Sequence, residues 1–270
     1  MRVSVDDVAI EVDCAGAGDV CLVLVHGLGG SRKTWAALVP LLAAGARVVV
    51  PDLRGCGDSS RGTAPWTLAR AADDVAGVAR SLGLARYVVV GHSLGGVIAE
   101  ELLTRQLDEI AGAVLISTSS RLSEKATQNW RRIADAVEAR GLADSPATRA
   151  RGFTAAFAEQ HPEVLEQHAA ISARCERGTY AEQARAASSY DYTDALASVK
   201  CPVLILQGLD DPMTPPGGSV ILQRAMPAVA RLEMIEGASH NLPFEKPDLA
   251  SDLILGFARP LFASSAAVSR

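Results

Sequence analysis

Six short apolar runs punctuate the chain: CLVLV (21–25), RVVV (47–50), YVVV (87–90), AVLI (113–116), PVLIL (202–206) and RLEMI (231–235). Polar residues do not alternate regularly within them, so each predicts a strand buried on both faces, as in a parallel sheet held between helical layers. The segments between them have a different period. Leu68, Ala72, Val75, Ala79 and Leu82 recur on one helical face, as do Leu249, Leu253 and Phe257. Strands alternating with helices predict parallel strands joined by helical crossovers, an α/β fold. Ahead of them, VSVDDVAIEV alternates apolar with polar and predicts an antiparallel edge hairpin turning at Asp6-Asp7.

The alternation stops between about 121 and 195. This interval is rich in Ala, Arg, Glu and Gln, contains no strand-like run, and has helical stripes such as Trp130, Ile133, Ala134 and Val137. Because apolar strands resume at Pro202, it reads as a helical insertion between two strands of one sheet. The expected organisation is a core of residues 1–120 and 196–265, a helical cap of 121–195, and a frayed tail, 266–270.

Composition narrows the function classes. Apolar residues make up 49% of the 270 and charged residues 21%, which suits a globular domain able to bury a large core. A formal net charge of −5 provides no basic surface for phosphate backbones, so nucleic acid is not expected as a partner. Cys14, Cys21, Cys56, Cys175 and Cys201 are odd in number, scattered and without C-x-x-C pairing, which predicts reduced thiols, neither a disulfide framework nor a zinc site. Asp6 and Asp7 interrupt what a signal peptide would need to keep apolar, and no run approaches the roughly 18 residues of a membrane span. The expectation is a cytoplasmic protein with no membrane partner; nothing in the pattern specifies an oligomeric state.

The candidate chemistry begins at GHSLGG (91–96), where the YVVV run ends and an apolar-periodic helix begins. G-x-S-x-G in that context predicts a tight strand-to-helix turn that projects the Ser93 hydroxyl from the C-terminal edge of the sheet. Gly91 and Gly95 let the turn close, and the helix N-terminus adds free N–H groups beside the nucleophile. His92 is expected to point away, as a structural residue of the turn.

A serine hydroxyl needs a base within reach, and the base needs a carboxylate to orient it. His240 follows the last strand in IEGASHNLPFEKP and leaves the same sheet edge, which makes it the candidate base. QGLDDPMTPP follows the 202–206 run and offers Asp211, with Asp210 as the alternative. The order Ser, Asp, His is that of α/β hydrolases. For the oxyanion, the candidate donors are the backbone amides of Leu94, directly after the serine, and Leu28 in the glycine-rich HGLGGS loop. That loop lacks the lysine of a phosphate-binding P-loop. His26 reads as a buried strap for it, and His161 and His168, seven apart on an expected helix, read as surface residues rather than metal ligands.

Five motifs in order, HGLGG, PDLRGCGDS, GHSLGG, GLDDPMTP and GASHNLPFEKP, resemble the serial landmarks of the α/β-hydrolase superfamily over nearly the whole chain outside 121–195. The resemblance implies an eight-stranded, mostly parallel sheet flanked by helices, a helical cap over the site, and Ser93, Asp211 and His240 as a catalytic triad. It also favours Asp211 over Asp210, from its spacing to Gly208 and Pro215. Cys56 stands where the family often has histidine. The cap segments LISTSSRL, WRRIADAVEARGLA and RGFTAAF, with Tyr180 beyond them, are similar to those of 3-oxoadipate enol-lactonases, although GHSLG and RGF replace that group's common G-L-S-M-G and Arg-Trp-Phe.

The expected function is hydrolysis of a small-molecule carboxylic ester or lactone through an acyl-serine, with no metal or organic cofactor. Trp130, Phe153, Phe157, Tyr180 and Tyr190 are the candidate pocket residues under the cap. Carbon–carbon bond hydrolysis and haloperoxidase-like perhydrolysis are the rival uses of such a triad. A non-catalytic small-molecule receptor is the rival from another class.

Overall fold

A computed structural model describes residues 1–143 and 145–263. The expected tail, 266–270, lies outside the described residues. Eight strands, β1 (Arg2–Val5), β2 (Val8–Ala15), β3 (Cys21–Val25), β4 (Arg47–Pro51), β5 (Tyr87–His92), β6 (Ile110–Ile116), β7 (Val203–Gly208) and β8 (Ala230–Ile235), form one sheet in the order β1-β2-β4-β3-β5-β6-β7-β8. The β1–β2 and β2–β4 pairs are antiparallel and every other pair is parallel. The edge hairpin turns where the alternation predicts: Val5 pairs with Val8, and Asp6 takes φ 48° between them.

The apolar runs are continuous because each strand feeds two cores. Val23, Val25, Val89, Leu115 and Ile205 point to one face, packing with Val75 and Ala79 of α2 (Leu68–Ser81) and Ile98 and Leu102 of α3 (Leu94–Thr104). Their neighbours Leu24, Val90, Ile116 and Leu206 point to the other, against Leu42 of α1 (Val39–Ala43) and Ile254 and Ala258 of α11 (Pro247–Ala263). A side-chain period of two inside a sheet covered on both sides produces this pattern. β8 departs from it: as the edge strand it is half-exposed, and Arg231 and Glu233 face solvent as an ion pair, 2.8 Å. β6 begins at Ile110, earlier than the apolar run suggests. Gly112 hides its first residues from a pattern reading, and that glycine admits Leu261 and the Pro202 carbonyl to close approach.

α2 starts where Thr67, in extended conformation, accepts the Arg70 amide at 3.1 Å, an N-cap. Asp74 on its inner face holds Arg54 at 2.6 and 2.9 Å, a buried ion pair that fixes the 52–58 loop on the helix. Burial pushes the Asp74 carboxyl up, and the guanidinium works against that.

Between β6 and β7 the chain forms α4 (Glu124–Arg140), α5 (Pro146–Ala150), α6 (Ala155–Gln160), α7 (Pro162–Ala173) and α8 (Arg177–Ala186). An isolated bridge between Arg121 and Asp191 closes the neck of this block. Inside it, Ala134 of the expected stripe packs on Ala181 and Ala184, with Trp130 and Tyr180 against them. Arg185 joins the two helices outside, 2.9 Å from Asp135 and 2.5 Å from Glu138.

Candidate active site

The strand order reverses direction between β3 and β5: the chain runs outward to β4 on one side and to β6, β7 and β8 on the other. In an open parallel sheet the crevice outside the strand C-termini at such a switch point is where ligands bind. The loop after β3 and the turn after β5 meet there, since Val25 pairs with Gly91.

Ser93 occupies that turn at φ 54°, ψ −117°, outside the regions an L-residue prefers. Strain of this kind costs on the order of 1–3 kcal/mol and persists only where the surroundings impose it. Here the surroundings are backbone atoms. A Cβ on Gly91 would lie 2.2 Å from the Gly95 carbonyl oxygen, and one on Gly95 would lie 2.0 Å from that of Val25. Only glycine lets β5, α3 and β3 approach so closely. The Ser93 amide is held by Ile116 O at 2.9 Å, and α3 begins at the next residue.

Asp211 follows β7 and is nearly saturated with donors. Oδ1 accepts the amides of Met213 (2.8 Å) and Thr214 (2.9 Å); Oδ2 accepts the Thr214 hydroxyl (2.6 Å), the Gln207 amide (3.3 Å) and His240 Nδ1 (2.9 Å). Burial alone would push its carboxyl up, but the His240 ring and these bonds outweigh it and hold it below the usual range. An ionised carboxylate at that distance requires a proton on Nδ1, which leaves Nε2 as the nitrogen available to the cavity lined by His240 and Ser93 together. Among the described residues the serine and imidazole are not hydrogen-bonded; in such sites the contact tightens when substrate binds. Asp210 is exposed, and its carbonyl accepts the Ser239 hydroxyl at 3.0 Å.

His240 comes from the far edge of the sheet, so its loop must cross two strand ends to reach Ser93. Two contacts hold that crossing. Asp210 N donates to Ala238 O at 3.0 Å, and His92 Nε2 donates to the His240 carbonyl at 2.9 Å. His92 is absent from the cavity lining and is structural, as the sequence suggests, and its partner is the loop that carries His240. Its ring is buried, which pushes its pKa down to about 3 and keeps it neutral. His26 is the strap that its position suggests: Nδ1 donates to Gly27 O at 2.8 Å and Nε2 accepts from Leu53 N at 3.0 Å. Burial keeps it neutral too.

The HGLGGS loop is also held from above. Gln183 of α8, fully buried, accepts the Gly29 amide at 3.0 Å and donates to Cys56 Sγ at 2.9 Å. Tyr180 packs on Gly29. Cys56 thus takes part in a tie between core and cap; its hydrogen bond with Cys175, together with burial, pushes its thiol well up, so it is no nucleophile.

Leu28, Ser93, Leu94 and His240 line one cavity of about 40 Å³. Of the candidate pocket residues, Trp130 and Tyr190 line it as well. Phe153 and Phe157 do not: they stack on each other at 5.6 Å, with Phe153 edge-on to Phe244 (6.1 Å) and His168 (5.4 Å), because the cap buries its aromatics against the loop after His240. Tyr180 is likewise a support of the Gly29 loop and not a wall of the cavity. His168 is half-buried in that aromatic cluster, which lowers its pKa to about 4, and His161 precedes α7 rather than sharing its face. Among the described residues no group of three or more His, Cys, Asp or Glu is placed to hold a metal ion, and no helix is long and apolar enough to cross a membrane. A larger cavity of about 180 Å³ lies beside Arg32, Lys33, Asp58 and Arg174, where both arginines are already paired: Arg32 with Asp13 (3.0 Å), Asp52 and Asp58 (2.8 Å), and Arg174 with Asp58 (3.0 Å).

Sequence reasoning missed Thr214, Gln207 and Gln183 as supports. Two carried a signal: Gln207 is a polar residue inside an apolar strand, and Asp211 followed by Thr214 is an Asx-turn pattern. Gln183 carried none.

Comparison with known proteins bears on the fold. Residues 20–247 match the family described as alpha/beta hydrolase fold. A thermophilic esterase from Thermogutta terrifontis, solved with malate bound, superposes with TM-score 0.89 at 30% identity, covering 97% of this chain and 99% of that one. The enol-lactonase from Burkholderia xenovorans LB400 superposes with TM-score 0.89 at 26% identity, covering 95% and 99%. RutD of Azorhizobium caulinodans, by name a carbamate hydrolase, is 26% identical over 258 residues, 93% of this chain and 95% of its own.

Proposed function

The chain belongs to the alpha/beta hydrolase fold family, and on that premise we propose that it hydrolyses a carboxylic ester or lactone through an acyl enzyme on Ser93. The single observation that carries this reading is the 2.9 Å bond between His240 Nδ1 and a carboxylate held ionised by four further donors, beside a strained serine at the same cavity. His240 Nε2 takes the Ser93 proton as Oγ attacks the carbonyl carbon, then delivers it to the departing alkoxide or enolate oxygen. Asp211 holds the imidazole in the accepting tautomer and stabilises its positive charge. The negative oxygen of the tetrahedral intermediate falls to the amides of Leu28 and Leu94. Water, deprotonated by the same Nε2, then releases the acid and restores the serine. The esterase and enol-lactonase likenesses support ester and lactone as the bond class.

The test is a hydrolysis screen of aryl esters, simple lactones, an enol-lactone, a vinylogous diketone and an aryl carbamate, with peracid formation from acetate and peroxide as a further arm. Ser93→Ala is run beside the wild type. Turnover of esters or lactones, lost by several orders of magnitude in the variant while its melting temperature is kept, is the expected result. Ester turnover that survives in Ser93→Ala overturns the mechanism. Preference for the diketone, the carbamate or peroxide overturns the bond class.

A further inference from the structure

Two of the five cysteines meet across the boundary between core and cap. Cys56 lies in the loop after β4, Cys175 in the turn between α7 and α8, and their thiols share a hydrogen bond. Contacts on either side hold the two segments in register. Ahead of the pair, Arg174 bonds Asp58 at 3.0 Å; beyond it, Thr179 packs so closely on the Gly55 backbone that a Cβ there would lie 2.7 Å from its Oγ1. Gln183 Nε2 donates to Cys56 Sγ at 2.9 Å, and Cys175 Sγ donates to the Glu176 carbonyl at 3.7 Å. The two sulfurs are therefore adjacent links in one buried chain of hydrogen bonds, from Gln183 to Glu176.

The pair is unequal. The hydrogen bond from Cys56 pushes the Cys175 thiol down and the Cys56 thiol well up, so the thiolate forms at Cys175. Cys175 is also the nearer to solvent, 8% exposed between exposed Arg174 and Glu176, whereas Cys56 is 0% exposed. Hydrolysis at Ser93 uses neither sulfur. The remaining cysteines differ: Cys14 is exposed, and burial pushes the thiols of Cys21 and Cys201 up.

We propose that Cys175 and Cys56 form a reversible disulfide that fastens the cap to the core, with a hydroperoxide as the oxidant. The Cys175 thiolate attacks one peroxide oxygen, the O–O bond breaks, the other oxygen leaves as hydroxide or alkoxide, and Cys175 becomes a sulfenic acid. Loss of the thiolate removes the negative charge that keeps the proton on Cys56. Cys56 then attacks the Cys175 sulfur: the S–S bond forms, the S–O bond breaks, and hydroxide leaves with the Cys56 proton as water. Two thiols have lost two electrons and the peroxide has gained them. A dithiol reverses the change by exchange. To bond, the sulfurs must close from hydrogen-bond contact to about 2 Å, which draws Cys56 Sγ from Gln183, the residue that holds the Gly29 amide beside Leu28. The same bond fixes the cap, whose Trp130 and Tyr190 wall the cavity of Ser93.

The test treats the reduced full chain with about one equivalent of hydrogen peroxide, denatures it in iodoacetamide and digests it without reductant. The expected product is a linked peptide pair holding Cys56 and Cys175, with Cys14, Cys21 and Cys201 alkylated, and dithiothreitol returns both linked cysteines to alkylation. Because the cross-link joins residues far apart in sequence, oxidation is expected to raise the melting temperature by about 5 °C or more. It is also expected to lower kcat/KM for an aryl ester by about fivefold, and dithiothreitol reverses both changes. Cys175→Ser should keep the reduced activity and show neither response, and Cys56→Ser should stop at a Cys175 sulfenic acid that dimedone traps. Peroxide that oxidises Cys14 and leaves Cys56 and Cys175 free overturns the proposal, as does a linked chain that melts no higher than the reduced one. The peptide and the melting temperature need no turnover, so a wild type without ester hydrolysis counts against the acyl-serine reading and leaves those two results to decide.

Discussion

Replacing Asp211 by asparagine asks whether its charge and bond pattern set the state of His240. Two of its five donors are main-chain amides, Met213 N at 2.8 Å and Thr214 N at 2.9 Å, both aimed at Oδ1. Those cannot turn, so the asparagine oxygen must keep that place and its NH₂ must take the place of Oδ2. There it faces His240 Nδ1 at about the present 2.9 Å. A donor opposite Nδ1 forces the imidazole into the tautomer with its proton on Nε2, and a protonated Nε2 cannot accept the Ser93 proton. A serine protease with the same change loses about 10⁴-fold in kcat, equivalent to about 5.5 kcal/mol of barrier. A loss of that order is expected here in kcat, with KM nearly unchanged, because Asp211 is not among the residues that line the cavity. The assay is steady-state hydrolysis of an aryl ester, with melting curves to show that both variants fold. Asp210→Asn, at an exposed side chain, is expected to stay within a few-fold of wild type. Asp211→Asn activity within tenfold of wild type, or a larger loss from Asp210→Asn, would refute the reasoning.

Two further changes probe buried polar groups away from the reacting atoms. Glu100 on α3 is fully buried with both carboxyl oxygens unpartnered, and burial pushes its pKa well up. The folded state therefore keeps a proton that the unfolded chain releases above about pH 4.3, so stability falls with rising pH by up to about 1.4 kcal/mol per unit until the folded pKa is reached. Glu100→Met should raise the melting temperature more at pH 8 than at pH 5; equal shifts would sink the idea. Gln183→Ala removes the acceptor of the Gly29 amide and is expected to cost about 1–3 kcal/mol in chemical denaturation. It should also lower kcat by loosening the loop that carries Leu28, and an unchanged kcat would show that the loop is held without it.

Much of the core was legible along the chain because its determinants are local or periodic. A strand covered on two faces must be apolar at successive positions, so β3, β5 and β7 announce themselves. A tight turn between β5 and α3 needs glycine on either side of Ser93, and that too is a short-range requirement. Asp211 and His240 could be placed at strand ends for the same reason, since chain order and apolar runs say which loops leave one sheet edge. β8 was harder in kind: its run reads as buried, and only its place at the sheet edge leaves it half-exposed.

Tertiary structure decided everything that depends on which distant segments meet. That His92 holds the His240 carbonyl, 148 residues away, follows from a loop crossing two strand ends. Gln183 reaches Gly29 across 154 residues only because α8 lies over the HGLGGS loop. Phe153 and Phe157 look as suited to a pocket as Trp130 and Tyr190, yet the cap turns Phe153 onto Phe244 with Phe157 stacked on it, and turns the second pair onto Ser93's cavity. The physical reason is the same in each case. Burial along a strand or helix is written as a period, whereas the pairing of two side chains depends on the packing of whole elements, and no local pattern records it.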